Sequence, residues 1–147
     1  MRERKGHCLC GAVHYRLVGE PVATRICWCR DCQFISANGT VNAIVPTAAI
    51  EITGDLAEFS NTVDSGNQLR RRFCPQCGTQ LFANSSARPH YTALRVGTLD
   101  DPSSLRPTIN IWVSSAPAWS CMDPAMERAE KQPAPPAPPA DAAQRVM

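Results

Sequence analysis

A chain of 147 residues, 44% of them apolar, can form one ordinary domain with a core of its own. A formal charge of +2 is too small to imply a nucleic-acid or membrane partner, and no apolar run approaches the roughly 18 residues that span a bilayer. The charged start Met1-Arg2-Glu3-Arg4-Lys5-Gly6 has no apolar stretch behind it, so no secretory signal is expected. The default compartment is a reducing cytoplasm, where clustered cysteines serve as metal ligands rather than disulfides.

In chain order, residues 1–5 read as a short N-terminal extension, followed by Cys8-Leu9-Cys10-Gly11. Val13, Tyr15 and Leu17 alternate with His14 and Arg16, which is the two-residue period of a strand. Next comes Cys27-Trp28-Cys29-Arg30-Asp31-Cys32, with room for a short helical turn over residues 31–37. Val41, Ala43 and Val45 alternate again and end at Pro46, where another turn fits. Ser65-Gly66-Asn67 reads as a turn ahead of Arg70-Arg71-Arg72, and Cys74-Pro75-Gln76-Cys77-Gly78 follows. Leu94 and Val96 lead to Gly97, and Ile109, Ile111 and Val113 form the last β run, with Trp112 on its opposite face. Nothing sustains a helical period over three turns. The expected fold is mainly β, short antiparallel sheets stapled by metal, in one domain over residues 6–127. Residues 128–147, Pro/Ala-rich from Gln132, carry too little apolar surface to offset ordering and are expected to be a disordered tail.

Seven of the eight cysteines fall into these clusters as two, three and two. A C-x-C or C-x-x-C pair needs a second pair to complete four positions, so Cys8, Cys10, Cys74 and Cys77 together suit a closed structural site. A glycine directly after the second cysteine relieves a turn that often needs positive φ. Cys27, Cys29 and Cys32 can reach one ion and leave its fourth position unfilled locally. That is the pattern of a site that keeps room for water or substrate, and a thiol bound there would lose its proton. Cys121, His7, His14 and His90 are the residues that could close it instead.

The segments Gly6-His7-Cys8-Leu9-Cys10-Gly11-Ala12-Val13-His14-Tyr15, Cys27-x-Cys29-x-x-Cys32 and Arg72-Phe73-Cys74-Pro75-Gln76-Cys77-Gly78-Thr79-Gln80-Leu81-Phe82 resemble the motifs of the glutathione-dependent formaldehyde-activating enzyme family, which includes the centromere protein V domain. Gly97-Thr98-Leu99-Asp100-Asp101-Pro102 and Ile109-Asn110-Ile111-Trp112-Val113-Ser114 with Trp119 are similar to its C-terminal signature. The resemblance implies a β-tent fold. It implies zinc at two sites: a structural ion on Cys8, Cys10, Cys74 and Cys77, and a catalytic ion on Cys27, Cys29 and Cys32. It also implies a carbon–sulfur lyase activity, joining glutathione and formaldehyde to S-(hydroxymethyl)glutathione. Trp28 and Asn110 stand where many relatives have histidine, and Trp28 is expected to make the rim of the open position apolar.

The leading expectation is a cytoplasmic zinc enzyme acting on a small thiol and an aldehyde. The alternatives are a metal-stapled protein-binding module without chemistry, and a redox pair of Cys27 and Cys32 in an empty second site. Arg70 and Arg72 share a strand face and could clamp an anion, although a solvated edge strand is the favoured explanation of the arginine run. Asp31 reads as a turn former, and Phe34 and Trp28 as pocket lining or core.

Overall fold

The computed structural model describes residues 1–134. The elements follow as β1 (Glu3–His7), β2 (His14–Val18), β3 (Ala23–Cys27), α1 (Arg30–Ser36), β4 (Thr40–Pro46), β5 (Ile50–Thr53), β6 (Ala57–Thr62), β7 (Gln68–Phe73), β8 (Gln80–Ser85), β9 (Tyr91–Arg95), β10 (Ile109–Ile111) and β11 (Glu127–Arg128). The fold is mainly β, as its alternating runs require. Two sheets form: a small one ordered β1-β2-β5 and a large one ordered β11-β10-β3-β4-β9-β8-β7-β6.

The alternation seen in the sequence sorts the large sheet into two unlike faces. Ala43, Val45, Phe82 and Leu94 point to one side and pack with Val13, Tyr15 and Leu17 of the small sheet into the main core. Successive side chains alternate faces, so Arg25, Asn42, Ala83, Ala93 and Arg95 are left on the other side, where they line a cleft.

Four features differ from the sequence reading. β1 pairs with β2 from Glu3 onward and buries Arg4, so residues 3–5 belong to the folded unit. Ordered structure also passes residue 127: the amides of Trp112, Val113 and Ser114 bond to the carbonyls of Lys131, Ala129 and Glu130. The rest of the Pro/Ala-rich tail, residues 135–147, lies outside the described residues. The run at Ile109 stops at Ile111, because Trp112 takes φ 57° and the chain turns into a 3-10 helix, Val113–Ser115. A tryptophan in this region is uncommon. Here its indole Nε1 donates to Gln132 Oε1 at 3.0 Å. Finally, β10 pairs in parallel with both β3 and β11, so the large sheet is not wholly antiparallel.

Candidate functional site

The outer cysteine pairs meet at one end of the core. Cys8 and Cys10 follow β1, Cys74 and Cys77 follow β7, and the four sulfurs lie within 4.8 Å of one another. Gly11 at φ 81° and Gly78 at φ 76° turn the chain directly after each pair, where a side chain would strain the backbone. Amides point at the sulfurs, from Val13 to Cys8 at 3.2 Å and from Gln76 to Cys74 at 3.4 Å. Thr79 ties the halves together: its Oγ1 accepts from the Leu9 amide at 3.1 Å and lies 3.1 Å from Cys77 Sγ. The hydroxyl and amide of Thr79 draw the Cys77 thiol down to about 5. Four soft donors at this spacing, two of them on fully buried residues, fit a thiophilic ion.

The inner cluster is built from a strand end and the first turn of a helix. Cys27 closes β3, Cys29 caps α1 by accepting from the Cys32 amide, and Cys32 is the helix's buried residue. Their three sulfurs also lie within 4.8 Å of one another. Among the described residues no fourth histidine, cysteine or carboxylate joins them. Cys121 is exposed; His7 bonds to the Cys8 carbonyl and faces Asp100 at 3.4 Å.

Hydrogen bonds from Cys27 and then Cys29, helped by the positive charge of Arg95, draw Cys32 down to about 3. Cys27 is pushed far up by its hydrogen bonds to Cys29 and Cys32 and by burial.

The inner sulfurs form one wall of a cleft of about 270 Å³ whose floor is the second face of the large sheet. Ala83 and Ala93, paired across β8 and β9, keep that floor low. Five arginines and two aspartates line it. Arg71, 3% exposed, bonds Asp31 Oδ2 at 3.3 Å and also Asn61 Oδ1, while Asn61 donates to the same Asp31 oxygen at 2.8 Å. This triad fastens α1 to β6 and β7 at the far end of the large sheet.

Several side chains lie where the sequence reading did not put them. β7 is flanked by β6 and β8, so the arginine run is not on an edge strand. Arg70 and Arg72 do share a face, away from the cleft: Arg72 stacks over Phe82 and Arg70 pairs with Glu58. Asp31 is an ion-pair partner beyond its place in a turn, and Phe34 is exposed. Of the two places read for Trp28, pocket lining and core, it takes the core: it is 3% exposed and not part of the cleft wall. Its Nε1 donates to Asn110 Oδ1 at 2.9 Å, so the two departures from the family pattern are one buried contact and the rim is not apolar on their account. Arg25, Asn42 and Arg95 went unremarked in the sequence, where only strand register could have singled them out.

Fold and site together define a mainly β protein with two thiol clusters able to hold a metal, the smaller of them beside a cationic cleft. The chain matches the family model described as "Glutathione-dependent formaldehyde-activating enzyme" over residues 3–115, and it belongs to that family. Among solved structures it is similar to the crystal structure of a Rhodobacter sphaeroides protein, at 20% identity and a TM-score of 0.54, covering 68% of this chain and 93% of that one. That likeness concerns the fold. No curated protein matches the sequence. No helix among the described residues is long and apolar enough to cross a membrane.

Proposed function

We propose that this protein is a zinc enzyme that condenses a small thiol of the glutathione type with an aldehyde such as formaldehyde, or runs the reverse reaction. Cys27, Cys29 and Cys32 would hold the working ion and Cys8, Cys10, Cys74 and Cys77 a structural one. The observation that carries this reading is the contrast between the two clusters: four thiols at the core's end and three in the wall of a cleft. Zinc held by the three would favour the thiolate form of a substrate thiol at neutral pH.

In the reaction the substrate sulfur adds to the aldehyde carbon. The carbon–sulfur bond forms, the carbonyl π pair moves to oxygen, and that oxygen takes up the proton the thiol released. No net oxidation occurs. The protein's residues supply position and charge. Arg71, Asp31 and Asn61 hold the ligand helix in place, and Arg95 lays a positive charge beside the sulfurs. The cleft concentrates anionic thiols near them. The fourfold cluster fastens the start of the chain to its middle. A reducing cytoplasm, where free cysteines persist, is the proposed compartment.

The test replaces Cys29 with Ser and follows adduct formation by magnetization exchange between free and hydroxymethylated glutathione. The enhancement is expected to vanish with one zinc lost per chain and circular dichroism unchanged. A folded variant with two ions and full activity would overturn the assignment.

A further inference from the structure

One row of the cleft floor is not used by the mechanism above. Arg25 lies opposite Asn42 across β3 and β4, and Asn42 lies opposite Arg95 across β4 and β9. The three residues therefore stand side by side on the same face, two positions along β3 from Cys27. All are buried, with Arg25 at 6% and Arg95 at 7% exposure. Among the described residues the Arg25 side chain makes no hydrogen bond or ion pair, and half-buried Arg88, reaching in from the β8–β9 turn, has no acidic partner. Arg95 donates to Asn42 Oδ1 at 2.5 Å, yet its Nε is buried without a partner. The cleft's two aspartates do not resolve this, since Asp31 is taken by Arg71 and exposed Asp64 makes no ion pair among the described residues.

A buried cation without a counter-charge is costly to fold. Arg25 is buried and shares the cleft with the like charge of Arg88. Unpaired groups of this kind cluster where a ligand completes them. Guanidinium forks match planar carboxylates in paired hydrogen bonds. Asn42, with its carbonyl engaged by Arg95, keeps an amide donor for the same ligand.

We propose that Arg25, Asn42 and Arg95, with Arg88 above Arg25, form a carboxylate-binding subsite that selects acidic thiols by seating a carboxylate on the sheet while the sulfur reaches the Cys27–Cys29–Cys32 end. This rests on the reading of the cleft as the thiol's site. It makes charge at a fixed distance from the sulfur, rather than the thiol alone, the mark of the substrate.

The test uses S-methylglutathione, whose sulfur cannot become a thiolate, and its dimethyl ester, whose carboxylates are masked. Binding of each to the zinc-loaded protein is measured by calorimetry. The acid is expected to bind about tenfold or more tightly than the ester. Arg25→Met is expected to remove most of that preference, and Arg25→Lys to keep part of it, since a lysine retains charge without the fork. Arg25→Met is also expected to hold or raise the melting temperature, because it removes an unpaired buried charge. A structural role for Arg25 would lower it.

Equal binding of acid and ester, no saturable binding of either, or a preference unchanged in Arg25→Met would overturn the subsite. So would tighter binding of inorganic phosphate than of the tripeptide. A cobalt-substituted sample separates this inference from the function it rests on. If glutathione alters the sulfur–cobalt absorption but acid and ester bind alike, the subsite fails and the thiol chemistry stands. If Arg25 governs the acid preference and glutathione leaves the absorption unchanged, the subsite stands and the thiol chemistry fails.

Discussion

The two cysteine clusters use the same donor atom to opposite ends. At the outer cluster the chain closes on itself: two glycine turns, amides aimed at sulfur and the Thr79 bridge leave four thiols facing one another. The sulfurs are joined to the main core through Cys8 and Cys74, both fully buried. At the inner cluster the support comes from one side only. A strand end and a helix turn bring three thiols together, the Arg71–Asp31–Asn61 triad holds the helix, and the remaining side is cleft. The number of thiols thus follows how completely each cluster is enclosed, and in a metal site enclosure separates a fastening from a place for exchange.

The largest effect should come from breaking the closed side. Cys74→Ser removes a buried thiol from the proposed structural site, whose metal would contribute on the order of 10 kcal/mol of apparent binding free energy, about as much as a whole domain's stability. Soluble yield and the circular-dichroism spectrum should both collapse. Folded Cys74→Ser protein with two ions would erase the contrast.

Asn110→Ala strikes the support beneath the inner cluster. It strips the Trp28 indole of its buried acceptor and leaves a hole at a fully buried position, at a cost of about 2–4 kcal/mol. The melting temperature should fall by roughly 5–15 °C. Asn110→His, the residue many relatives carry, should recover part of the loss.

Tyr15 reports on the core behind the outer cluster. Burial, opposed in part by its hydrogen bond to Thr98, raises its phenol to about 12. The unfolded chain therefore ionises first. The Tyr15 contribution is intact below pH ~10 and declines as pH rises toward ~12, by about 3 kcal/mol in all. Denaturant midpoints at pH 9 and pH 11 measure this, and Tyr15→Phe should flatten the difference.

Asp31→Asn gives the smallest change, about 1–2 kcal/mol for a weakened charge-assisted contact. It should loosen the inner cluster selectively. Chelator competition should then strip one ion faster while the other leaves at the wild-type rate.

What could be read from the sequence was local. Cysteine spacing is fixed by short turns, so both cysteine groups and the glycines beside the outer one were visible in C-x-C, C-x-x-C and C-x-C-x-x-C. Alternating apolar residues likewise marked most strands. What escaped depended on register. The arginine run showed that Arg71 faces away from Arg70 and Arg72, but only pairing with β8 and β9 puts Arg71 over the cleft. The Arg25–Asn42–Arg95 row needs three strands aligned before it exists. Trp28 and Asn110 stood out as separate oddities, although they lie 82 positions apart and touch. The strand ending at Ile111 was overdrawn because the Trp112 turn is held by bonds to residues 129–132, in a stretch whose composition signalled no structure.

The central claim is that the threefold cluster holds an ion open to a substrate thiol while the fourfold cluster does not. A crystal structure of the zinc-loaded protein soaked with glutathione tests it most directly. The account predicts two zincs: one on Cys8, Cys10, Cys74 and Cys77 with no outside ligand, and one on Cys27, Cys29 and Cys32 with the glutathione sulfur in its fourth position. A second zinc closed by a fourth protein ligand, with glutathione absent from the cleft at saturating concentration, would contradict it.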